Sequence, residues 1–322
     1  MPPPRPPASV VPRPPATGWS AGSPSTAAAP RRARADDDGA QAGRPGYLIL
    51  DVCGAFVRDL GGWFPVAKLV VLMGELQVDE QATRSAVSRI TKRGLLVPEH
   101  RDGQRGYVLS PAARETLDEA DRHIFGRSAR AALADGWVIA TFSVPEDERD
   151  KRHVLRSRLA WLGFGLLANG VWIAPARLLP ELQDSMARLG LSSYLTVFVG
   201  QHRGEDPREL VERCWDLDGL RELYVEFLDH CGPLRRRWAR REPVGVEAFV
   251  DYTLLLNQWR TFPYLDPGLP AELLPRGWEG QRAADAFFGL RDRLSGPALA
   301  HVAEVMGLPA GTTRPAAASR SA

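Results

Sequence analysis

Between Trp137 and Gly200 the sequence alternates strand-like and helix-like segments, and this restricts the fold more than any other feature of the chain. WVIATFSV reads as a buried strand, KRHVLRSRLAWLG as an amphipathic helix, and LLANGVWIAP as one strand or a hairpin about Asn169-Gly170. LLPELQDSMARLG reads as a second helix and YLTVFVG as a closing strand. A β-α-β-α-β order of about 70 residues fits a ferredoxin-like unit. After Pro207 the strand signals vanish. PRELVERCWDLDGLRELYVEFLDHCGPLRRRWARR, GVEAFVDYTLLLNQWRTF and AADAFFGLRDRLSGPALAHVAEVMG are helical by spacing, and the proline-punctuated LDPGLPAELLPRGWEG joins the last two. Upstream of the sheet, YLILDVCGAFV and WFPVAKLVVLMGEL are apolar enough for packed helices, with Pro65 suited to a first helical turn.

Composition agrees with several packed cores. The chain has 322 residues, 44% apolar and 25% charged, which suggests two or three domains. No apolar run approaches the length of a bilayer span, and the opening MPPPRPPASVVPRPPATG has no apolar core of a secretory signal. Cys53, Cys214 and Cys231 are an odd number at no recurring spacing, which speaks against a disulfide framework and for a reducing, cytoplasmic setting without membrane partners. The formal net charge is only +2, so any affinity for nucleic acid must come from a local arrangement of charge.

One such arrangement lies in EQATRSAVSRITKRGLL, residues 80–96. Asp79 is a plausible N-cap and Gly94 a stop, with basic residues near the end as the helix dipole favours. With Ala82 at zero, Ala86, Ile90 and Val87 fall at about 40°, 80° and 140°, an apolar arc that must face a core. Gln81, Arg84, Ser85, Ser88 and Lys92 fall at about 200° to 300°, flanked by Arg89 and Arg93. Short hydroxyls let a backbone approach closely, while arginine and glutamine can make paired hydrogen bonds to base edges in a major groove. A solvated basic surface has the same composition. What favours the nucleic-acid reading is the neighbourhood: an apolar helix and short turn before it, then LLVPEH and YVLS around an Asp102-Gly103 hairpin signal with Arg101 and Arg105 at its tip. Helix, turn, helix and a two-stranded wing make a winged helix-turn-helix.

The expected architecture is therefore α+β: a winged helix-turn-helix DNA-binding domain at 46–112, a connecting helix at 113–133, a ferredoxin-like middle at 134–204 and a helical C-terminal domain at 205–309. Residues 1–45 and 310–322, rich in Pro, Ala, Ser and Arg, read as disordered tails.

VDEQATRSAVSRITKRGLLVPEHRDGQRGYVLSP resembles the recognition helix and wing of the PaaX family of bacterial transcriptional regulators, whose best-known members repress phenylacetate catabolism. The resemblance continues through the middle, which in that family is similar to the Cas2 fold, and into DPGLPAELLPRGWEG, covering about Gly46 to Leu308. It implies a homodimeric repressor that binds double-stranded operator DNA and is released by an aryl-coenzyme A thioester such as phenylacetyl-CoA. From the residues themselves, no cofactor or metal is expected. Where the family often reads His-Glu-Tyr-Arg, this chain has Asn257, Gln258, Trp259 and Arg260.

Other chemistry is weakly encoded. A Cas2-like nuclease would want acidic ligands at the end of the first middle strand, where this chain has Ser143, with Asp147 only in the loop beyond. Cys214, His230 and Cys231 lack zinc-ligand spacing and read as a helix with buried thiols. The dense run at Arg235, Arg236 and Arg237 is either a solvated helix end or a patch for coenzyme A phosphates. Trp259 and Arg260 pose the same choice between core and an aromatic thioester site.

Overall fold

Helix α1 (Pro45–Ala55) buries Leu48, Ile49, Val52 and Cys53, the spacing of a single apolar stripe. The computed structural model describes residues 45–308 apart from 102, 127–129 and 205. Both expected tails and Asp102 of the expected hairpin lie outside the described residues. After α1 the chain forms a short strand, β1 (Trp63–Pro65), and then α2 (Val66–Glu75), which buries Leu69, Leu72 and Met73. The sequence places Trp63 to Pro65 in the helix. Instead Pro65 is extended (φ −71°, ψ 139°) and precedes the helix as its cap. Proline gives up no ladder donor at a sheet edge, and β1 is such an edge, pairing antiparallel with residues 106–108. Gly106 permits it: a Cβ there would lie 2.5 Å from the Phe64 carbonyl oxygen.

Helix α3 (Glu80–Lys92) starts where the Asp79 carboxylate accepts the Ala82 N–H at 2.8 Å. It stops at Gly94, in left-handed backbone (φ 74°), with Gly94 N–H donating to Thr91 and Leu95 N–H to the Ile90 carbonyl. Strands β2 (Leu96–Arg101) and β3 (Gln104–Leu109) form the hairpin, and β1 makes it a three-stranded sheet in the order β1-β3-β2 rather than a two-stranded one. Helix α4 (Pro111–Phe125), capped by Ser110, leaves this unit.

The middle sheet contains β4 (Trp137–Phe142), β5 (Gly165–Ala168), β6 (Val171–Pro175) and β7 (Leu195–Gly200), all antiparallel, in the order β5-β6-β4-β7. Helices α5 (Arg149–Trp161) and α6 (Leu179–Arg188) cover one face, where Val138 and Ala140 meet Leu155, Leu159, Leu182 and Met186. Alternate residues point to the other face. There Trp137 and Ile173 pack against Leu210, Val211 and Cys214 of α7 (Pro207–Cys214) and against Leu269 and Leu273.

The C-terminal part comprises α8 (Leu217–Ala239), α9 (Gly245–Trp259), α10 (Phe262–Leu265) and α11 (Gly280–Met306). The stretch from Pro207 to Arg241, continuous by spacing, breaks at Trp215, because Asp216 caps a new helix by accepting the Gly219 N–H at 3.0 Å. These helices do not have a core of their own. One hydrophobic cluster runs from Leu48, Phe56 and Leu69 of the first unit through Phe227, Trp238, Phe249, Trp259 and Phe287. Phe56 meets Phe249 at 5.6 Å and Tyr252 at 5.9 Å between ring centroids. Cys53 and Cys231 are in this cluster and Cys214 under the middle sheet, and burial pushes the Cys53 and Cys231 thiols up to about 12. Among the described residues, no helix is long and apolar enough to cross a membrane.

Candidate nucleic-acid interface

Helix α3 separates its residues as the angular arithmetic requires. Ala86, Val87 and Ile90 are buried, together with Thr83, whose hydroxyl donates to the Asp79 carbonyl at 2.9 Å. Gln81, Arg84, Ser85, Ser88, Arg89, Lys92 and Arg93 are all exposed. One feature changes the charge on this face: the Arg84 guanidinium donates to Glu80 one turn earlier, at 2.7 Å. Both side chains are more than half exposed, so the pair is solvent-screened and its net worth is small. Arg89, Lys92 and Arg93 meet no acid among the described residues.

Strand β2 leaves directly from the α3 stop and packs along that helix, with Leu96 in the core and Val97 exposed. At the hairpin end, Arg101 pairs with Gln104 in register, its guanidinium lies 2.5 Å from Glu99 and sits 5.5 Å from the Trp63 ring. Arg105 is exposed without an acidic partner among the described residues. Among the described residues the α3 face and the hairpin tip thus present four unpaired cations, Arg89, Lys92, Arg93 and Arg105, and two loosely paired ones, Arg84 and Arg101. Phosphate oxygens can replace such loose carboxylate partners.

The residues expected for an effector are not brought together. Arg235 and Arg236 are exposed on α8. Arg237 pairs with Asp251 of α9 at 2.7 Å, the same carboxylate that accepts the fully buried Trp238 indole N–H at 2.8 Å. Arg237 and Arg241 lie 5.2 and 5.0 Å from the Trp238 ring, so this run ties two helices together. Trp259 is buried, stacks on Phe287 at 4.7 Å and donates to the Ile124 carbonyl at 3.0 Å. Arg260 turns the other way, 4.7 Å from the Tyr47 ring and 3.5 Å from Asp51 of α1. Of these residues Trp259 borders a cavity of about 340 Å³ where α4, the helices of the middle domain and the C-terminal helices meet.

Sequence reasoning misses Asp51. Its carboxylate also accepts the Asn257 amide at 2.5 Å, and burial pushes it above the usual carboxylate range, with Arg260 and Asn257 pulling the other way. A lone acid inside the apolar YLILDVCGAFV is the signal that could have found it. Near Ser143 and Asp147, Glu146 pairs with Arg152 at 3.3 Å and Glu148 with Lys151 at 2.7 Å. No group of three metal-ligating side chains occurs among the described residues.

Three family models match successive parts of the chain: PaaX-like protein at residues 44–113, PaaX protein central Cas2-like domain at 130–211, and PaaX-like protein C-terminal domain at 215–304. Transcriptional repressor PaaX of Escherichia coli (strain K12) is 28% identical over 266 residues, 80% of this chain and 82% of that protein. Among solved structures, uncharacterized protein Rv0674 from Mycobacterium tuberculosis is similar in fold, with a TM-score of 0.50 and 24% identity over 77% of this chain and 95% of that one. An α+β chain with a Cas2-like middle domain, matched in order by the three parts of one regulator family, is a transcriptional regulator rather than an enzyme. It belongs to the PaaX family.

Proposed function

We propose that this chain is a sequence-specific DNA-binding transcriptional repressor of a catabolic operon, with its first unit acting as a winged helix-turn-helix. The observation that supports this best is the exposed α3 face: Ser85 and Ser88 in the middle, Gln81, Arg84, Arg89 and Lys92 around them, and an opposite face that buries Thr83, Ala86, Val87 and Ile90. In this reading α3 enters a major groove, Arg84, Arg89 and Gln81 reach base edges, and Arg93, Arg101 and Arg105 hold phosphates. The middle domain, in strand order a ferredoxin-like unit, serves as a platform for a homodimer. Its edge strand β7 leaves Phe198 and Val199 60% and 54% exposed, which supports an unmet partner there. Two α3 helices then meet successive grooves of a roughly palindromic site. An aryl-CoA thioester such as phenylacetyl-CoA releases the DNA by preferring an arrangement in which that spacing no longer matches.

The test is anisotropy binding to DNA upstream of the protein's own gene, at fixed salt, with and without phenylacetyl-CoA. Specific binding that the thioester abolishes is the expected result. Binding without sequence preference refutes the operator reading, and specific binding indifferent to the thioester refutes the effector.

A further inference from the structure

The first unit and the C-terminal helices share one apolar core, and apolar burial is non-directional: it holds two surfaces together without choosing the angle between them. At one place their boundary is polar. The Asp51 side chain of α1 is only 11% exposed, and both its oxygens are met from the C-terminal end of α9. The Asn257 amide donates to Oδ2 at 2.5 Å, and Arg260 Nε lies 3.5 Å from Oδ1. Asn257 is itself buried, and the Arg260 guanidinium sits 4.7 Å from the ring of Tyr47, one turn before Asp51. Asn257 and Arg260, on one face of α9, thus grip Tyr47 and Asp51, on one face of α1.

The same turn reaches the other end of the first unit. Trp259 Nε1 donates at 3.0 Å to the carbonyl of Ile124, in the last turn of α4. Arg58, just beyond α1, donates to Asp118 of α4 at 2.7 Å and also to Asp121, so α1 and α4 are tied to one another. Helix α1 lies against α3, with Gly46 facing Ile90. A tilt of α1 on α9 therefore tilts the exposed face of α3.

Energetics separate this clasp from the core around it. Apolar side chains repack with modest loss of stability, and a core made of them loses uniqueness before it loses stability. A buried carboxylate is less tolerant, because any arrangement that takes it from its donors leaves a charge uncompensated. Yet replacing every member of a buried ionic cluster by apolar groups is often neutral or stabilising. The clasp therefore contributes little net stability and selects one arrangement among those the core allows.

We infer that Asp51, Asn257 and Arg260 are positioning residues: they fix the angle at which α1, and with it the exposed face of α3, sits on the C-terminal helices, and so set the half-site spacing that a pair of chains accepts. The spacing consequence rests on the proposed operator reading; the fixed angle does not.

Angle and spacing are measured separately in the full chain. Ala67→Cys on α2 and Glu222→Cys on α8, both exposed and one on each side of the boundary, carry spin labels whose distance distribution is read by double electron–electron resonance after dilution with unlabelled chain. Cys53, Cys214 and Cys231 are buried and stay unlabelled. The triple variant Asp51→Leu, Asn257→Leu, Arg260→Met should melt in urea at or above the native midpoint yet widen that distribution. In selection from random duplex DNA, its discrimination between the preferred half-site spacing and neighbouring ones should fall about tenfold. If the triple variant does not fold, Asp51→Asn decides, keeping the shape while removing the charge, with the same widening expected. Leu294→Ala, which cuts into the shared core on α11, should lower the midpoint and leave the distribution narrow. An unchanged distribution in a folded clasp variant, or equal widening in Leu294→Ala, overturns the inference. Widening with an unaltered spacing preference overturns the spacing consequence. If the native chain selects no spaced pair of half-sites while the clasp variants still widen the distribution, the operator reading fails and the fixed angle stands.

Discussion

Phe249→Ala is the substitution that most directly tests whether the first unit and the C-terminal helices share a core. Phe249 is fully buried, its ring 5.6 Å from Phe56 in the first unit and 5.7 Å from His301 on α11. Truncating an enclosed phenylalanine costs about 3 to 5 kcal/mol. With rigid rings on several sides the site collapses poorly, so we expect about 4 kcal/mol, a large part of the roughly 5 to 15 kcal/mol that holds a domain folded. The loss should be felt on both sides of the contact. In hydrogen exchange read by mass spectrometry, peptides from 45–101 and from 217–306 should lose protection together, while those from 137–200 change less. Leu155→Ala, in the separate core under the middle sheet, should give the opposite pattern. A double-mutant cycle with Phe56→Ala should show a coupling of about 0.5 to 1.5 kcal/mol, the worth of an aromatic pair beyond its area. Undisturbed exchange in 45–101, with additive cycles, would refute the shared core.

The remaining expectations concern charge. Arg89→Ala should weaken binding to the preferred DNA by about 1 to 3 kcal/mol and relax preference at one position; equal loss on all sequences would make Arg89 a phosphate contact only. Arg105→Ala should weaken binding to every sequence alike and lower the slope of log K against log salt by about 0.9, and an unchanged slope removes the hairpin tip from the interface. Glu80→Gln frees Arg84 and removes an anion from the face, so it should tighten DNA binding by about 0.5 kcal/mol at low salt, an effect that disappears at high salt. Weaker binding in this variant would mean that Glu80 holds Arg84 in its productive position. Burial pushes the His123 imidazole below its ordinary 6.5, partly opposed by Glu119, with Arg158 and Arg122 adding to the lowering. The unfolded chain therefore takes up that proton first, and stability falls as pH drops below about 6.5. Urea melts of His123→Gln should show a shallower loss between about pH 6.5 and 5, and an identical slope contradicts this.

What the sequence makes legible is local. The cap at Asp79, the stop at Gly94 and the apolar arc of α3 are encoded within one short segment, 79–94, and the structure reproduces them. Helix α7 is hidden in a longer pattern because Leu210, Val211, Cys214 and Leu217 keep a helical period across the break; the Asp216-x-x-Gly219 cap is its only sign. Strand β1 is illegible for a different reason: three residues ending in proline show no period, and only the distant Gly106 admits them. Periodicity says which face of a helix is buried but not against what. Hence the union of α1 and α2 with α9 and α11 in one core could not be read from the sequence. The same blindness affects Arg237, whose partner Asp251 lies on another helix, and Arg260, whose partner Asp51 lies at the far end of the described chain on α1. Density of charge suggests a phosphate patch; tertiary pairing commits part of that charge to holding helices together.

The last turn of α9 faces two ways, and the magnitudes make that consequential. On one side Asn257 and Arg260 hold the buried Asp51 of α1; on the other Trp259 holds the Ile124 carbonyl and borders the junction cavity. A buried carboxylate is tolerated only while its partners stay in place, and removing one such hydrogen bond costs about 1 to 3 kcal/mol. A tenfold change in affinity for DNA requires about 1.4 kcal/mol of difference between two arrangements. A ligand that displaced this turn enough to loosen Asn257 from Asp51 would therefore supply a coupling of the right size without unfolding either unit.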